Sequence, residues 1–224
     1  MIDLNEVSFG YDAHRTLDRV TLSLPAGSFH FLTGPSGAGK TTLLKLLYLE
    51  LTPQEGTLSL IGQETGSLPR EQRLSLRRRI GIVFQDFRLL PHLSVAENVM
   101  LPLAVHGADP AKHTEDVREL IRWVGLTHRA AAPPPSLSAG EQQRAAIARA
   151  VITAPDIIIA DEPTGNVDAE MGMRILKLLV ELNRLGKTVV IATHDLGLIR
   201  SAKALVTARV LRLADGRIAV GGAL

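Results

Sequence analysis

Residues 29–50 read FHFLTGPSGAGKTTLLKLLYLE. A short apolar run, FHFLT, enters a glycine-rich stretch and leaves it as a helix-forming run of Lys, Thr and Leu, so strand, loop and helix follow without a break. Within it GPSGAGKT, Gly34 to Thr41, satisfies G-x-x-x-x-G-K-[ST] at every position. It stands after a strand and before a helix, the context that gives the pattern its meaning. In such a loop the glycines let backbone wrap a β-phosphate, the Lys40 ammonium reaches the β and γ oxygens, and the Thr41 hydroxyl can ligate Mg²⁺. Gly34, Pro35, Ser36, Gly37, Ala38, Gly39, Lys40, Thr41 and Thr42 are therefore the expected nucleotide-binding residues.

A second stretch supplies the complement. DIIIADE, residues 156–162, buries four apolar residues in a strand and brings Asp161 out at its C-terminal end, where ligands of open α/β sheets bind. Asp161 is placed to hold Mg²⁺, and Glu162 to polarise an attacking water. Neighbouring acids can take different roles because successive strand side chains point in different directions.

The remaining chain fits one α/β nucleotide-binding unit. IDLNEVSF, TLDRVTLSL and TLSLIG in the first sixty residues alternate like antiparallel strands between Gly, Pro and Asp turns. From Arg70 to about Ala132 the pattern is mostly helical, interrupted by the strand-like IGIVFQ. The proline-rich AAAPPPS breaks the chain before a helix that opens at Ser138. A long helix from about Asp168 to Leu185 and the buried run TVVIATH follow, and RVLRLADGRIAV reads as a terminal hairpin about an Asp-Gly turn. Short apolar strands alternating with helices imply a parallel sheet covered on both faces. The expected architecture is a mostly parallel core sheet with an N-terminal antiparallel β part, a single domain over residues 1–224, and a helical subdomain inserted at about residues 86–150.

Composition excludes several classes. Hydrophobic residues make up 46% of the 224, enough for a substantial core. The longest apolar runs are strand-sized, far short of the roughly 18–20 residues that cross a bilayer, and MIDLNEVSFG lacks the basic-then-apolar pattern of a signal peptide. A cytoplasmic location is expected. With no cysteine there are neither disulfides nor thiolate metal sites. A net charge of +2 and 4% aromatic residues argue against a nucleic-acid partner.

With both phosphate-site motifs in place, the chain resembles the ATP-binding-cassette (ABC) ATPases over essentially its whole length. The resemblance implies roles for further residues. Tyr11 would stack on adenine, and Gln85 would be the Q-loop residue at Mg²⁺ and water. LSAGE, residues 137–141, would be the signature motif, with Ser138, Ala139, Gly140 and Glu141 binding nucleotide. Asp168 in GNVD would belong to the D-loop, and His194 in ATHD would be the switch histidine at the γ-phosphate. Catalysis would thus rest on Glu162, His194 and Gln85, and the metal on Thr41, Gln85 and Asp161. Two departures from the commonest LSGGQ stand out: Ala139 replaces a glycine, and Glu141 replaces a glutamine and completes an S-x-x-E capping box with Ser138. Free N–H groups at such a helix start suit a phosphate.

In the family the signature of one subunit closes on the ATP held by the other, so a single copy of each motif implies a head-to-tail homodimer with two composite sites. GPSGAGKTTLLKLLYLE, RRRIGIVFQDFRLLPHLSVAENVMLPL and ADEPTGNVD are most similar to the cell-division branch of the family. They are shared in part with lipoprotein-release and macrolide-efflux ATPases. The branch implies an integral membrane partner, docked near Gln85–Leu103 through Phe87, Leu89, Leu90 and Leu93, and a peripheral place on the inner face of the cell membrane. Arg77, Arg78 and Arg79 form a solvated helix end able to meet anionic headgroups or an acidic partner. A switch acting on nucleic acid or ribosomes is the reading of another class.

Overall fold

The computed structural model describes residues 1–11 and 14–223. Two sheets form. The first is antiparallel, in the order β2-β1-β4-β5, from β1 (Ile2–Tyr11), β2 (His14–Leu24), β4 (Glu55–Leu60) and β5 (Gln63–Glu64). The second runs β10-β9-β3-β8-β7-β6, from β3 (Phe29–Thr33), β6 (Ile80–Val83), β7 (Ile157–Asp161), β8 (Thr188–Ala192), β9 (Ala208–Ala214) and β10 (Arg217–Ala223). Its β3, β6, β7, β8 and β9 are parallel, and only the terminal β9–β10 hairpin pairs antiparallel, about a turn at Asp215 and Gly216.

Apolar periodicity sorts the layers. Along β7, Ile157 and Ile159 face the antiparallel sheet and helix α1 (Lys40–Leu47), whereas Ile158 and Ala160 face helices α5 (Ala139–Val151), α6 (Ala169–Arg184) and α7 (Leu196–Ala202). Each of these isoleucines is wholly buried, a gain of about 1.5–3 kcal/mol apiece. A third core joins α3 (Val95–Val105), α4 (Thr114–Trp123) and α5 through Val99, Ile121 and Ala148. Helix α2 (Arg70–Arg77) contributes Leu76 to the first core.

The proline-rich stretch does more than break the chain. The Ala132 and Ala130 carbonyls accept from the Val95 and Ala96 N–H groups at 3.0 and 2.9 Å, satisfying donors that the first turn of α3 leaves without intrahelical partners. Ser94 and Glu97 close a capping box on the same helix end.

Candidate nucleotide site

Strand β3 delivers the chain to Gly34, whose φ of 154° and close approach to the Leu213 carbonyl leave no room for a Cβ. Gly39, at φ 100°, starts α1 and packs against Thr16 of β2. No side chain caps α1 and its first turn holds no acid, so its N–H groups stay available and its dipole favours an anion.

A cavity of about 440 Å³ opens above this helix start. Ser36, Gly37, Gly39, Lys40, Thr41 and Thr42 line it from the loop, and Tyr11, Gln85, Asp161 and Glu162 from other elements. Thr42 is itself 7% exposed. Gly34, Pro35 and Ala38, also of the loop, do not line the cavity. Lys40 Nζ donates to the Gly34 and Pro35 carbonyls at 2.8 and 3.1 Å, the Ala38 N–H donates to Pro35 O, and the Ala38 side chain packs on the core. Tyr11 is 46% exposed with its ring edge-on to Phe9, leaving a face open.

The two acids, adjacent in sequence, turn to different neighbours. The Thr41 hydroxyl donates to Asp161 Oδ2 at 3.1 Å. Burial raises the Asp161 carboxyl above its ordinary value, with the Thr41 hydrogen bond opposing, and carboxyl and hydroxyl oxygens stand side by side. Hard oxygen donors of this kind, few in number, match Mg²⁺, which takes one or two protein ligands and fills its octahedron with water and phosphate. Glu162 adopts φ 45°, turning its side chain to His194, whose Nδ1 lies 2.8 Å from Oε1 and whose own N–H donates to Oε2 at 3.4 Å. The Glu162 side chain is 12% exposed and that of His194 75%.

The signature residues lie elsewhere. Among the described residues none of Ser138 to Glu141 lines the phosphate-loop cavity. Ser138 caps α5: its hydroxyl accepts from the Glu141 N–H at 3.3 Å, and Glu141 Oε2 accepts from the Ser138 N–H and hydroxyl at 2.8 and 3.0 Å. Arg129 holds Glu141 from outside at 3.1 Å. These bonds keep its carboxyl below the ordinary value, the Ser138 N–H contributing most. Ala139 and Gly140 open the first turn with no side-chain partner for their N–H groups, and Gly140 packs against Met171 at the head of α6. Asp168 caps α6 by accepting from the Met171 N–H at 2.8 Å.

Several contributors escaped the sequence reading. Thr16 lines the cavity from β2, and no local pattern marks it. Asn166 donates to the Gln85 carbonyl at 3.1 Å; its place in GNVD was the available signal. Arg149, near the end of α5, donates to the Phe87 and Arg88 carbonyls, where two successive left-handed residues follow β6. Phe87, Leu89, Leu90 and Leu93 are half-buried, and Leu89 packs on the third core. Arg79 pairs with Asp156 at 2.6 Å, while Arg77 and Arg78 remain exposed.

A phosphate loop on a parallel sheet, with an aspartate and a glutamate at the next-but-one strand end, defines a P-loop nucleoside triphosphatase. The chain belongs to the ABC transporter family, whose sequence model matches residues 17–165, and it is an ATPase of that family. It is similar to the cell division ATP-binding protein FtsE of Bacillus subtilis, with 40% identity over 97% of this chain and 94% of that one. It is also similar to FtsE of Haemophilus influenzae, with 43% identity over 89% and 93%. The macrolide export ATP-binding/permease protein MacB of Burkholderia pseudomallei is 41% identical over 90% of this chain but only 30% of its own length. Two solved dimeric structures of the cassette MJ0796, one described as a post-hydrolysis state bound to ADP and Pi, match with a TM-score of 0.87. They are 35% and 36% identical, over 100% and 97% of this chain and 98% and 96% of theirs.

Proposed function

We propose that this chain hydrolyses Mg²⁺-bound ATP in a head-to-tail homodimer and drives an FtsX-like membrane protein in cell division, passing conformational change to cell-wall hydrolases across the membrane. One observation carries the composite site: the uncapped α1 and the signature helix α5 present their phosphate-binding ends in different places on one chain. A second copy then brings Ser138, Ala139, Gly140 and Asp168 to the ATP held by Lys40 and Thr41. The dimeric MJ0796 cassettes support this reading.

In that site Lys40 leaves the loop carbonyls for the β and γ oxygens, and Tyr11 stacks on adenine. Thr41, Asp161 and Gln85 would hold Mg²⁺, which neutralises charge on the terminal phosphates. Glu162 takes the proton of the attacking water, held by His194 as that residue meets the γ-phosphate. Glu141 fixes the Ser138 hydroxyl and the shape of the helix start, as a capping carboxylate does.

The FtsE relatives, matched over almost their full length, support the division role. The partner would dock along residues 85–103, within a helical subdomain of about residues 86–150, where α3 and α4 enclose an apolar cavity of about 480 Å³ lined by Met100, Val117 and Ile121. The chain would then sit on the inner membrane face. The MacB match supports a second reading, an export or lipoprotein-release ATPase. Co-purification from membranes, followed by identification of the partner, separates them: a four-span division protein supports the first reading and an efflux permease the second.

A further inference from the structure

Helices α3 and α5 open on the same device: Ser94 with Glu97, and Ser138 with Glu141, exchange side-chain and backbone hydrogen bonds across the first turn. Their surroundings differ. Glu97 Oε2 takes the Ser94 N–H and hydroxyl at 2.7 Å each, and among the described residues no lysine or arginine pairs with it. Glu141 keeps Oε2 for Ser138 and gives Oε1 to Arg129, whose Nε donates at 3.1 Å; His128 Nε2 stands 3.8 Å from the same oxygen. A capping box therefore closes in this fold without a guanidinium, and Arg129 meets a different need. Its main chain is fixed on both sides. The Arg129 N–H donates to the Leu126 carbonyl at 2.8 Å and its own carbonyl accepts from the Ala132 N–H at 2.9 Å, at the end of the single 3₁₀ turn Thr127–Arg129 that follows α4. The guanidinium is thus delivered to Glu141 from a rigid link, not from a loose loop.

We propose that Arg129 is a positioning residue of the composite site, cancelling the Glu141 charge so that the α5 start of one copy closes on the ATP phosphates held by the other; the inference rests on the head-to-tail dimer reading above. Two helix starts receive phosphate in that dimer. The first turn of α1 holds no acid, whereas that of α5 holds Glu141. The Ser138 N–H, more than any other group and against burial, keeps the Glu141 carboxyl below its ordinary value, so it is ionised at neutral pH. Its side chain is only 14% exposed, and water screens such a charge less than one in the open. Left alone, the carboxylate repels phosphate at the place where Ser138, Ala139 and Gly140 are to meet it. Paired with Arg129, it keeps its hydrogen bonds to Ser138 and loses its outward field. Arg144, one turn along α5, adds attraction but makes no ion pair with Glu141 among the described residues, and its Nε is buried without a partner. Arg129 is therefore the cation that decides the charge of this helix start.

The test uses the full chain carrying E162Q and reads, by size-exclusion chromatography, the concentration of ATP with Mg²⁺ at which half of it is dimer. R129A and R129Q remove the charge, the second keeping an N–H donor, and R129K restores a cation. Each is compared with its parent, and E141Q/R129Q with E141Q; thermal melts check the fold. R129A and R129Q should both raise the half-dimer concentration about 5- to 20-fold, the size of one uncompensated charge near the phosphates, and R129K should recover most of the loss. In the E141Q background, where no charge is left to cancel, R129Q should change it by less than about twofold. An equal loss in both backgrounds overturns the proposal, since Arg129 then acts on the link or on the nucleotide itself and not through Glu141. R129Q matching its parent also overturns it, because a neutral hydrogen bond then suffices. Both of these results leave the dimer reading standing. Absence of any ATP-driven dimer of the E162Q chain overturns that reading and this proposal together.

Discussion

His194 Nδ1 stands 2.8 Å from Glu162 Oε1, across 32 residues of sequence, with the carboxylate shielded and the imidazole open to solvent. Because an ionised carboxylate only accepts, the Nδ1–H donates and Nε2 is left facing outward. The proposed base is thus oriented by the group that would report the γ-phosphate.

Glu162→Gln keeps the shape of this pair and removes the proton acceptor. Hydrolysis should fall about 10²–10⁴-fold while ATP binding persists and an ATP-loaded dimer accumulates. Phosphate release and size-exclusion chromatography with ATP and Mg²⁺ check both; hydrolysis at the parent rate would take Glu162 out of its assigned role.

Lys40→Ala removes a cation now parked on the Gly34 and Pro35 carbonyls. Those contacts are local, within six residues of the chain, so folding should survive. Loss of charged hydrogen bonds to two phosphates should weaken ATP binding by about 10- to 100-fold or more, measured by titration with a fluorescent ATP analogue.

Asp161→Asn separates stability from function. Burial raises the Asp161 carboxyl in the folded chain, so the native state holds its proton longer than the unfolded one. Stability therefore falls as pH rises from the ordinary value of 3.8 through the raised one, and the penalty remains above it. The asparagine removes that penalty: at pH 7 without nucleotide, Tm should equal or exceed the parent's, while Mg²⁺-dependent hydrolysis is lost. A Tm well below the parent's would mean that the Thr41 hydrogen bond outweighs burial.

Ser138→Ala and Ser94→Ala open the capping boxes of α5 and α3. Each should cost about 1 kcal/mol, or about 2–4 °C in Tm. Only the first should also weaken ATP-driven dimer formation of the E162Q chain, because only Ser138 faces the partner's nucleotide in the proposed dimer. Equal effects on dimerisation would reduce Ser138 to a cap.

Much of the site was legible in order along the chain. The phosphate loop, the strand ending in Asp161 and Glu162, the Ser138–Glu141 box and the Asp215–Gly216 hairpin are local patterns. Each depends on residues close in sequence, where glycine freedom, side-chain periodicity and helix-end hydrogen bonds act directly. The same locality concealed others: Ser94 and Glu97 form an equal box inside a stretch read for its leucines.

What the sequence by itself determined is the set of elements and the chemistry each carries, because those follow from short-range sterics and apolar spacing. Only the tertiary structure decided which of them meet. Placing β7 two strands from β3, across β8, brings Thr41 and Asp161 to 3.1 Å over 120 residues. The turn at Glu162 carries it to His194, and Thr16 enters the cavity from a strand whose sequence shows no sign of it. The signature helix, by contrast, is held by the third core and by α6, with its capped end apart from its own phosphate loop. Long-range packing sets such distances, and no pattern within a few residues encodes them.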